Sequence, residues 1–284
     1  MNENTTKIRV GSVVREYSGY FSWFMFVFAI VSYCVHIGVT YYALKGDINL
    51  WLACFINTIG VYLIFTPMHE AAHYNISGGN PKLAWLDDLI GWVCSVFHYA
   101  PYAAFRVLHH QHHKNTNNPE RDPDYFVLGD TIFTSFIRCF LILPYYYISY
   151  LFKFWNMDGK KEKEFGYSIA MAIIKFGLSG YLVYIGYGAE LVALWIAPAV
   201  FGTCLLAIVF DFIPHYPHKS QNIYENSWIY PRAFLTVLLL GQNYHLIHHL
   251  YPSIPFNRYG EVFLKLKEFL KSKGTKVIGE KDGG

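Results

Sequence analysis

The chain has 284 residues, of which 54% are hydrophobic and 15% are charged, against about 25% charged residues in an average soluble domain. This balance excludes an ordinary soluble globular protein, and the net charge of +3 is too small to indicate a nucleic-acid-binding protein. The five cysteines stand singly in apolar stretches without a CxxC pair, which argues against a disulfide framework and a zinc ribbon.

Polar and apolar segments alternate along the chain in a pattern typical of a polytopic membrane protein. Residues 1–18 are polar and mixed in charge. Five apolar runs follow, at or near the length needed to cross about 30 Å of hydrocarbon: 20–42, 50–68, 131–154, 167–187 and 190–210. The polar segment 69–125 lies between the second and third runs and surrounds one amphipathic stretch, 85–105. A Lys-rich tail, 265–284, ends the chain, and the sequence predicts one all-α membrane-embedded domain over residues 1–284.

Four short segments carry histidines at helical spacing: HEAAH from position 69, HHQHH from 109, DFIPH from 211 and HLIHH from 245. Residues three or four apart share a helix face, so each segment presents its side chains to one side. The candidate metal ligands are His69, His73, His109, His112, His113, Asp211, His215, His245, His248 and His249. Neutral imidazole suits Fe, Zn, Cu and Ni, and one zinc takes about four ligands, so this set predicts two metal ions.

Other polar residues near these segments have supporting roles in this interpretation. The acidic ones, expected to orient ring N–H groups, are Glu70, Glu120, Asp122 and Asp124. The histidines without a helical partner, expected to hydrogen-bond or to lie at an interface, are His98, His110 and His218. His36 stands alone in the middle of a span and is expected to be an ordinary surface or core residue.

A shared metal centre restricts the topology. Three apolar runs separate the second histidine segment from the third, and three crossings would place the two segments on opposite sides of the membrane. We therefore expect run 131–154 to be an interfacial or re-entrant helix, which keeps the basic loop 160–164 on the cytoplasmic side, as the positive-inside rule favours. The result is four spans, with both termini and the metal centre cytoplasmic.

Two other classes of function remain open on the residues alone. HEAAH fits the HExxH motif of zinc proteases, in which Glu70 would be the general base, but one zinc leaves the other three segments unexplained. A metal transporter or storage protein would need ionisable residues along its spans, and these spans carry almost none.

HEAAH (69–73), HHQHH (109–113) and NYHLIHH (243–249) resemble the three histidine boxes of the membrane fatty acid desaturase superfamily, and the resemblance covers residues 50–260. It implies a four-span fold with two non-haem irons on the cytoplasmic side, held by the histidines of the boxes. His215 matches an additional histidine before the last box. Asp211 stands where acyl-CoA desaturases have an Asn that reaches iron through water.

Within the superfamily, the run 241–255 resembles most closely the desaturase-type β-carotene hydroxylases. This implies an O₂-dependent diiron enzyme that hydroxylates a lipid-soluble substrate, a carotenoid ring; the alternative is an acyl-lipid desaturase. The chain has no GxGxxG motif and no iron–sulfur spacing of cysteines, so we expect electrons from an external carrier such as a ferredoxin. Candidate docking residues, which are equally suited to face lipid headgroups, are Lys160, Lys161, Lys163, Lys265, Lys267 and Lys271.

Overall fold

The computed structural model describes residues 3–159 and 161–279, with side chains from Val10 onward. Over these residues the chain is helical and has no strand, apart from one isolated bridge between Ile229 and Val277. The prediction of an all-α fold is confirmed. Lys160 and the last residues of the Lys-rich tail, 280–284, lie outside the described residues.

The described helices follow one another with short connections. In chain order they are α1 (Glu3–Tyr17), α2 (Trp23–Leu44), α3 (Leu50–Ala72), α4 (Ala84–Ser95), α5 (Tyr102–Asn115), α6 (Ile132–Phe140), α7 (Ile142–Phe152), α8 (Glu162–Tyr184), α9 (Gly188–His215), α10 (Ala233–Leu238), α11 (His245–Leu250) and α12 (Tyr259–Ser272). Helix α9 contains two π-helical stretches, Val192–Ile196 and Ala207–Phe212. Short 3₁₀ turns lie at Pro123–Val127, Phe154–Asn156, Gln242–Tyr244 and Phe256–Arg258.

Helices α2, α3, α8 and α9 are long and apolar enough to cross a membrane, as predicted. Small and amide side chains join three of them. A Cβ at Gly202 in α9 would lie 2.6 Å from Val61 of α3, so the glycine allows close helix contact. Asn57 of α3 donates to Thr40 of α2 (3.0 Å) and to the carbonyl of Leu194 in α9 (3.3 Å). These contacts fix the bundle from which the histidine segments extend.

Helices α6 and α7 form a bent pair, with 69° between their axes. At 9 and 11 residues they are about 14 and 17 Å long, too short to cross about 30 Å of hydrocarbon. The chain also returns to its starting side: Arg121, before the bent pair, forms an ion pair with Asp158, after it (2.9 Å). Asp158 contacts Lys114 at the end of α5 as well (2.7 Å). The two ends of run 131–154 therefore lie close together, as the prediction that this run does not cross requires.

Helices α4 and α5 form a hairpin that reaches between the spans. Its tip, residues 96–101, contacts Lys175, whose amine lies 2.8 Å from the carbonyl oxygen of Ala100. Lys175 is about 20 Å along α8 from Glu162, which is half of that span. The expected cytoplasmic position of the polar region 69–130 therefore needs correction at this tip. The amphipathic stretch 85–105 has no long charged segment, and it enters the bundle instead of lying on its surface.

The two ends of the described chain lie on the histidine side. Lys265 of α12 forms an ion pair with Glu16 of α1 (2.5 Å). Tyr259, at the start of α12, contacts His248 with its hydroxyl group (2.8 Å). Both terminal helices are thus attached to the histidine-rich side of the spans. That this side is cytoplasmic stays a prediction from the positive-inside rule.

Single cysteines test this topology in a background that lacks the five native cysteines. We expect Cys at Glu120 and at Lys163, the two flanks of the bent pair, to react with an impermeant maleimide from the same side. Cys at Asp47, in the turn between α2 and α3, should react only from the other side. Labelling of the Lys163→Cys variant from the side of Asp47 would refute the four-span arrangement.

Candidate metal centre

Five histidines from three segments meet in a first group. They are His69, His73, His109, His113 and His248. One ring nitrogen of each lies within 4.8 Å of all the others. The i, i+4 pairs from α3 and from α5 face one another, and α11 contributes the fifth ring. The helical spacing of the sequence is therefore what aligns this group.

Four histidines form a second group, next to the first. They are His112, His215, His245 and His249. Helix α5 and helix α11 each contribute to both groups. The residues four apart, His109 with His113 and His245 with His249, stay in one group, whereas His112 and His248, three residues after the first of each pair, belong to the other. The rings of His113 and His249, one from each group, are stacked with centroids 4.4 Å apart. The structure thus brings together all nine predicted histidines at two adjacent points.

The separations of the ring nitrogens fit bound metal ions. The Nε2 atoms of His69 and His248 are 3.0 Å apart, and those of His245 and His249 are also 3.0 Å apart. Two nitrogens at about 2.1 Å from one ion and at right angles would be about 3.0 Å apart. The Nε2 atom of His215 is buried without a hydrogen-bond partner. Because a buried nitrogen without a partner is costly, these atoms are well suited to ligate an ion.

The opposite ring nitrogens of five of these histidines are hydrogen-bonded to the protein. A histidine whose Nδ1–H donates outward presents a lone pair on Nε2. Hydrogen bonds at Nδ1 join His112 to Asp122 (2.9 Å), His215 to the carbonyl of Asn226 (2.8 Å), His248 to Tyr259 (2.8 Å), His249 to Thr116 (3.2 Å), and His245 to Gln242. Two carboxylates also lie near an Nδ1 atom: Asp124 is 3.2 Å from His112, and Glu70 is 3.4 Å from His69. This arrangement fixes the tautomer that metal binding requires.

Some of these contacts were predictable from the sequence, and others were not. Asp122, Asp124 and Glu70 were predicted because they are acidic and close to a histidine segment. Gln242 was missed, although its place three residues before His245 was a usable signal. Tyr259, Thr116 and Asn226 come from other elements or from backbone atoms, and the linear sequence carries no sign of their contacts. Glu120 is exposed and accepts no bond from a histidine among the described contacts.

Burial sets the protonation of most of these side chains. It lowers the pKa of His73, His109 and His113 well below the usual range, and neighbouring imidazoles lower it further. The pKa values of His245, His248 and His249 are lowered for the same reasons. His112 differs: burial opposes its charge, but Asp122 and Asp124 outweigh burial and raise its pKa to about 10. Neutral imidazoles are ready to ligate a cation, and the two carboxylates supply compensating negative charge.

Asp211 is the predicted site residue that the structure does not place in either group. Its carboxylate lies 3.4 Å from the hydroxyl of Tyr146, which donates to Asp124 at 2.6 Å. Asp211 and Tyr146 both line an apolar cavity that opens onto the histidines. A water-mediated contact between Asp211 and an ion stays a prediction.

The remaining histidines have local roles. His98 donates to the carbonyl of Cys94 (3.1 Å), and His110 donates to the carbonyl of Ala72 (3.1 Å), in agreement with the hydrogen-bonding roles expected for them. His218 is buried next to Tyr125, with ring centroids 5.9 Å apart. His36 is buried against Phe97, with ring centroids 4.0 Å apart, and is therefore a core residue.

The cavity connects the two groups with the interior of the spans. At one end it is bordered by His69, His109, His112 and His245. Its walls come from α3, α5, α7, α8 and α9, and they are mostly aliphatic and aromatic. Wall residues include Phe65, Met68, Ala104, Leu108, Ile142, Leu143, Ile169, Ala172, Leu206 and Phe210. The metal-binding geometry therefore faces an apolar chamber, not water.

The model of the fatty acid desaturase family matches residues 48–280, which contain all nine histidines of the two groups. The chain belongs to this family. Its curated relatives include the sn-1 acyl-lipid omega-3 desaturase (ferredoxin) of Nostoc sp. (strain 36), which is 24% identical over 76% of this chain and 64% of that protein. They also include the chloroplastic omega-3 fatty acid desaturase of Ricinus communis (24% identical; 75% of this chain, 53% of that protein) and the Delta(12) fatty acid dehydrogenase of Crepis alpina (27% identical; 66% and 59%).

These comparisons support the superfamily predicted from the histidine boxes. The expected closeness to β-carotene hydroxylases is not supported, because the relatives just named are fatty acid or acyl-lipid desaturases and a dehydrogenase. The chain spans between about half and two thirds of the length of these relatives.

The two groups should differ in their tolerance to loss of one ligand. His215→Ala leaves three histidines in its group, too few for a closed site, and metal content should fall from about two ions per chain toward about one. His73→Ala leaves four, so we expect it to retain more metal. Elemental analysis of protein purified in detergent measures both, with His110→Ala as the control. Equal losses in His110→Ala and His215→Ala would contradict this assignment.

Asp211 can be tested in the same assay. If its carboxylate reaches an ion through water, Asp211→Ala should lower the metal content, and Asp211→Asn, which retains an oxygen, should lower it less. Full metal content in both variants would limit Asp211 to the cavity wall.

Proposed function

We propose that this protein is an O₂-dependent acyl-lipid desaturase that uses two non-haem irons. The observation that carries the proposal is the pair of histidine groups at the end of an apolar cavity in a member of the fatty acid desaturase family. When bound, the two irons would supply the O₂ activation needed to remove hydrogen from an unactivated C–H bond.

The protein's own residues hold and shield such a centre. The outward Nδ1 contacts fix the rings, so little rearrangement is needed when metal binds. Phe65, Phe105 and Phe210 pack around the first group, with ring centroids 5.7 Å (Phe65 to His69), 5.3 Å (Phe105 to His109) and 6.1 Å (Phe210 to His69) apart. This aromatic layer excludes water from the side that faces the cavity and so protects a reactive site.

An acyl chain suits the cavity because it needs no polar partner along most of its length. The walls between the histidines and residue 172 are largely hydrocarbon, and they lie within the spans, where a membrane lipid can supply the chain. The names of the relatives, which are fatty acid and acyl-lipid desaturases, support this substrate class. Hydroxylation of a carotenoid ring has no comparable support.

The reaction needs an external electron donor. Removing two hydrogens from the chain gives one double bond, and reducing O₂ to two waters consumes these hydrogens together with two further electrons and two protons. A one-electron carrier such as a ferredoxin would supply the electrons, and the names of some relatives specify ferredoxin. Of the lysines proposed to receive it, Lys265 is already paired with Glu16, whereas Lys163 is exposed on the same side as the histidines.

The geometry does not support a zinc protease. A general base in HExxH would have to face the open side of the metal. Glu70 is fully buried on the Nδ1 side of His69 instead, where its carboxylate accepts a hydrogen bond from Asn75 (3.0 Å). In this position Glu70 lies beside a candidate ligand and does not reach a substrate.

Expression in a host that contains saturated and monounsaturated membrane lipids, together with β-carotene and a ferredoxin system, tests substrate and reaction together. We expect new double bonds in acyl chains, detected by gas chromatography and mass spectrometry. His248→Ala should abolish them, because it removes a ligand of the first group, and His110→Gln, outside both groups, should retain them. Hydroxylated carotenoid with an unchanged acyl profile would contradict the proposal.

A further inference from the structure

Helix α8 buries an unusual face. Its buried residues are Ser168, Lys175 and Ser179, all polar, whereas apolar side chains such as Ile173 and Ile174 point outward. A spanning helix normally carries ionisable residues only where they have a partner or a function. Lys175 is 2% exposed and lies half-way along the span, so its amine needs a specific partner within the protein.

That partner is the tip of the α4–α5 hairpin. The amine of Lys175 donates to the carbonyl oxygens of Ser95 (2.9 Å) and Ala100 (2.8 Å). Ser95 is the last residue of α4, just before the tip, and Ala100 lies near the other end of the tip, so one side chain bonds to the backbone on both sides of it. Non-helical backbone at membrane depth must have its polar groups satisfied by protein, because no water is available there.

Two further side chains hold the same tip from other helices. Trp195 of α9 donates from its indole nitrogen to the carbonyl of Val96 (2.7 Å), and Tyr147 of α7 donates to the carbonyl of Tyr99 (2.5 Å). Four carbonyls of the segment Ser95–Ala100 thus accept bonds from three different helices. The position of the tip is set by these donors and not by the hairpin alone.

The tip also forms the inner end of the substrate cavity. His98, Ala100 and Pro101 line it, and on α8 the lining extends to Ala172 but not beyond. Lys175 follows Ala172 by one helical turn, directly behind the wall. The cavity therefore runs from the histidines to the segment that Lys175 holds in place.

We propose that Lys175 is a positioning residue: it fixes Ser95–Pro101 as the floor of the cavity and so decides which carbon of a bound acyl chain lies beside the histidines. The inference rests on the proposed function, since it takes the substrate to be an acyl chain. A chain that enters the cavity stops at the floor, and the depth of the floor then sets the position of the reacting carbons. A displacement of about 1 Å in such a site can cost roughly 100-fold in rate.

The test compares the acyl products of the wild type and of variants in the expression system described above. Lys175→Met retains the length of the side chain and removes the donors, Lys175→Gln retains N–H donors without the charge, and Trp195→Phe removes a second hold on the floor. Lys82→Met, an exposed lysine before α4, is the matched control. Iron per chain and membrane accumulation are measured for each, and double-bond positions are determined by mass spectrometry of dimethyl disulfide adducts.

We expect Lys175→Met to retain iron but to lose about tenfold or more of the wild-type isomer, with double bonds at neighbouring carbons or in chains of another length. Lys175→Gln should be intermediate, and Trp195→Phe should shift the products in the same way. A role in folding alone would lower the amount of protein without moving the double bond.

Each outcome is decisive. Lys175→Met with the wild-type isomer at the wild-type rate would overturn the inference and leave the proposed function intact. Loss of protein or iron in all three variants would overturn it as well, because Lys175 would then be a requirement for folding. A wild type that forms no acyl product would overturn the proposed function, and this inference with it.

Discussion

The structure depends on one constraint: nine imidazoles must turn their Nε2 atoms toward two adjacent points. Nitrogen lone pairs that face one another at about 3 Å repel unless a cation lies between them. The outward nitrogens are therefore tied to acceptors such as Asp122 and Tyr259, which keep the rings in place. Because the histidines come from four separate segments, every element between these segments must bring the chain back to one side of the bundle.

This return explains the irregular parts of the fold. Between the second and third histidine segments the chain has an odd number of apolar runs, and the bend between α6 and α7 converts one of them into an excursion that ends where it began. The ion pair between Arg121 and Asp158 joins the two ends of this excursion. The buried α4–α5 hairpin contributes to the same site, because it supplies the floor and part of the walls of the cavity that borders the histidines.

Much of the site could be predicted from the sequence because the spacing of its ligands is set within single short helical segments. Ligands at i, i+3 and i+4 lie on one helix face whatever the rest of the fold does, and all nine histidines were found in this way. Asp211 follows the same spacing rule relative to His215, yet its carboxylate contacts Tyr146 instead of a ligand group. Spacing identifies a shared face, but the twist of a helix with π-helical stretches decides what each side chain reaches.

The depth of the hairpin could not be predicted, because the donors that stabilise it are distant in sequence. Composition suggested that the spans carry almost no ionisable residues, which argued against an ion pathway, and Lys175 is an exception to that statement. It does not revive the transporter hypothesis. An ion pathway needs polar groups that face a continuous water-filled route. The amine of Lys175 is instead occupied by two backbone carbonyls at the closed end of an apolar cavity, where it offers nothing for an ion to exchange with. A buried charge in a span is informative only together with its partner, and here the partner is the protein's own backbone.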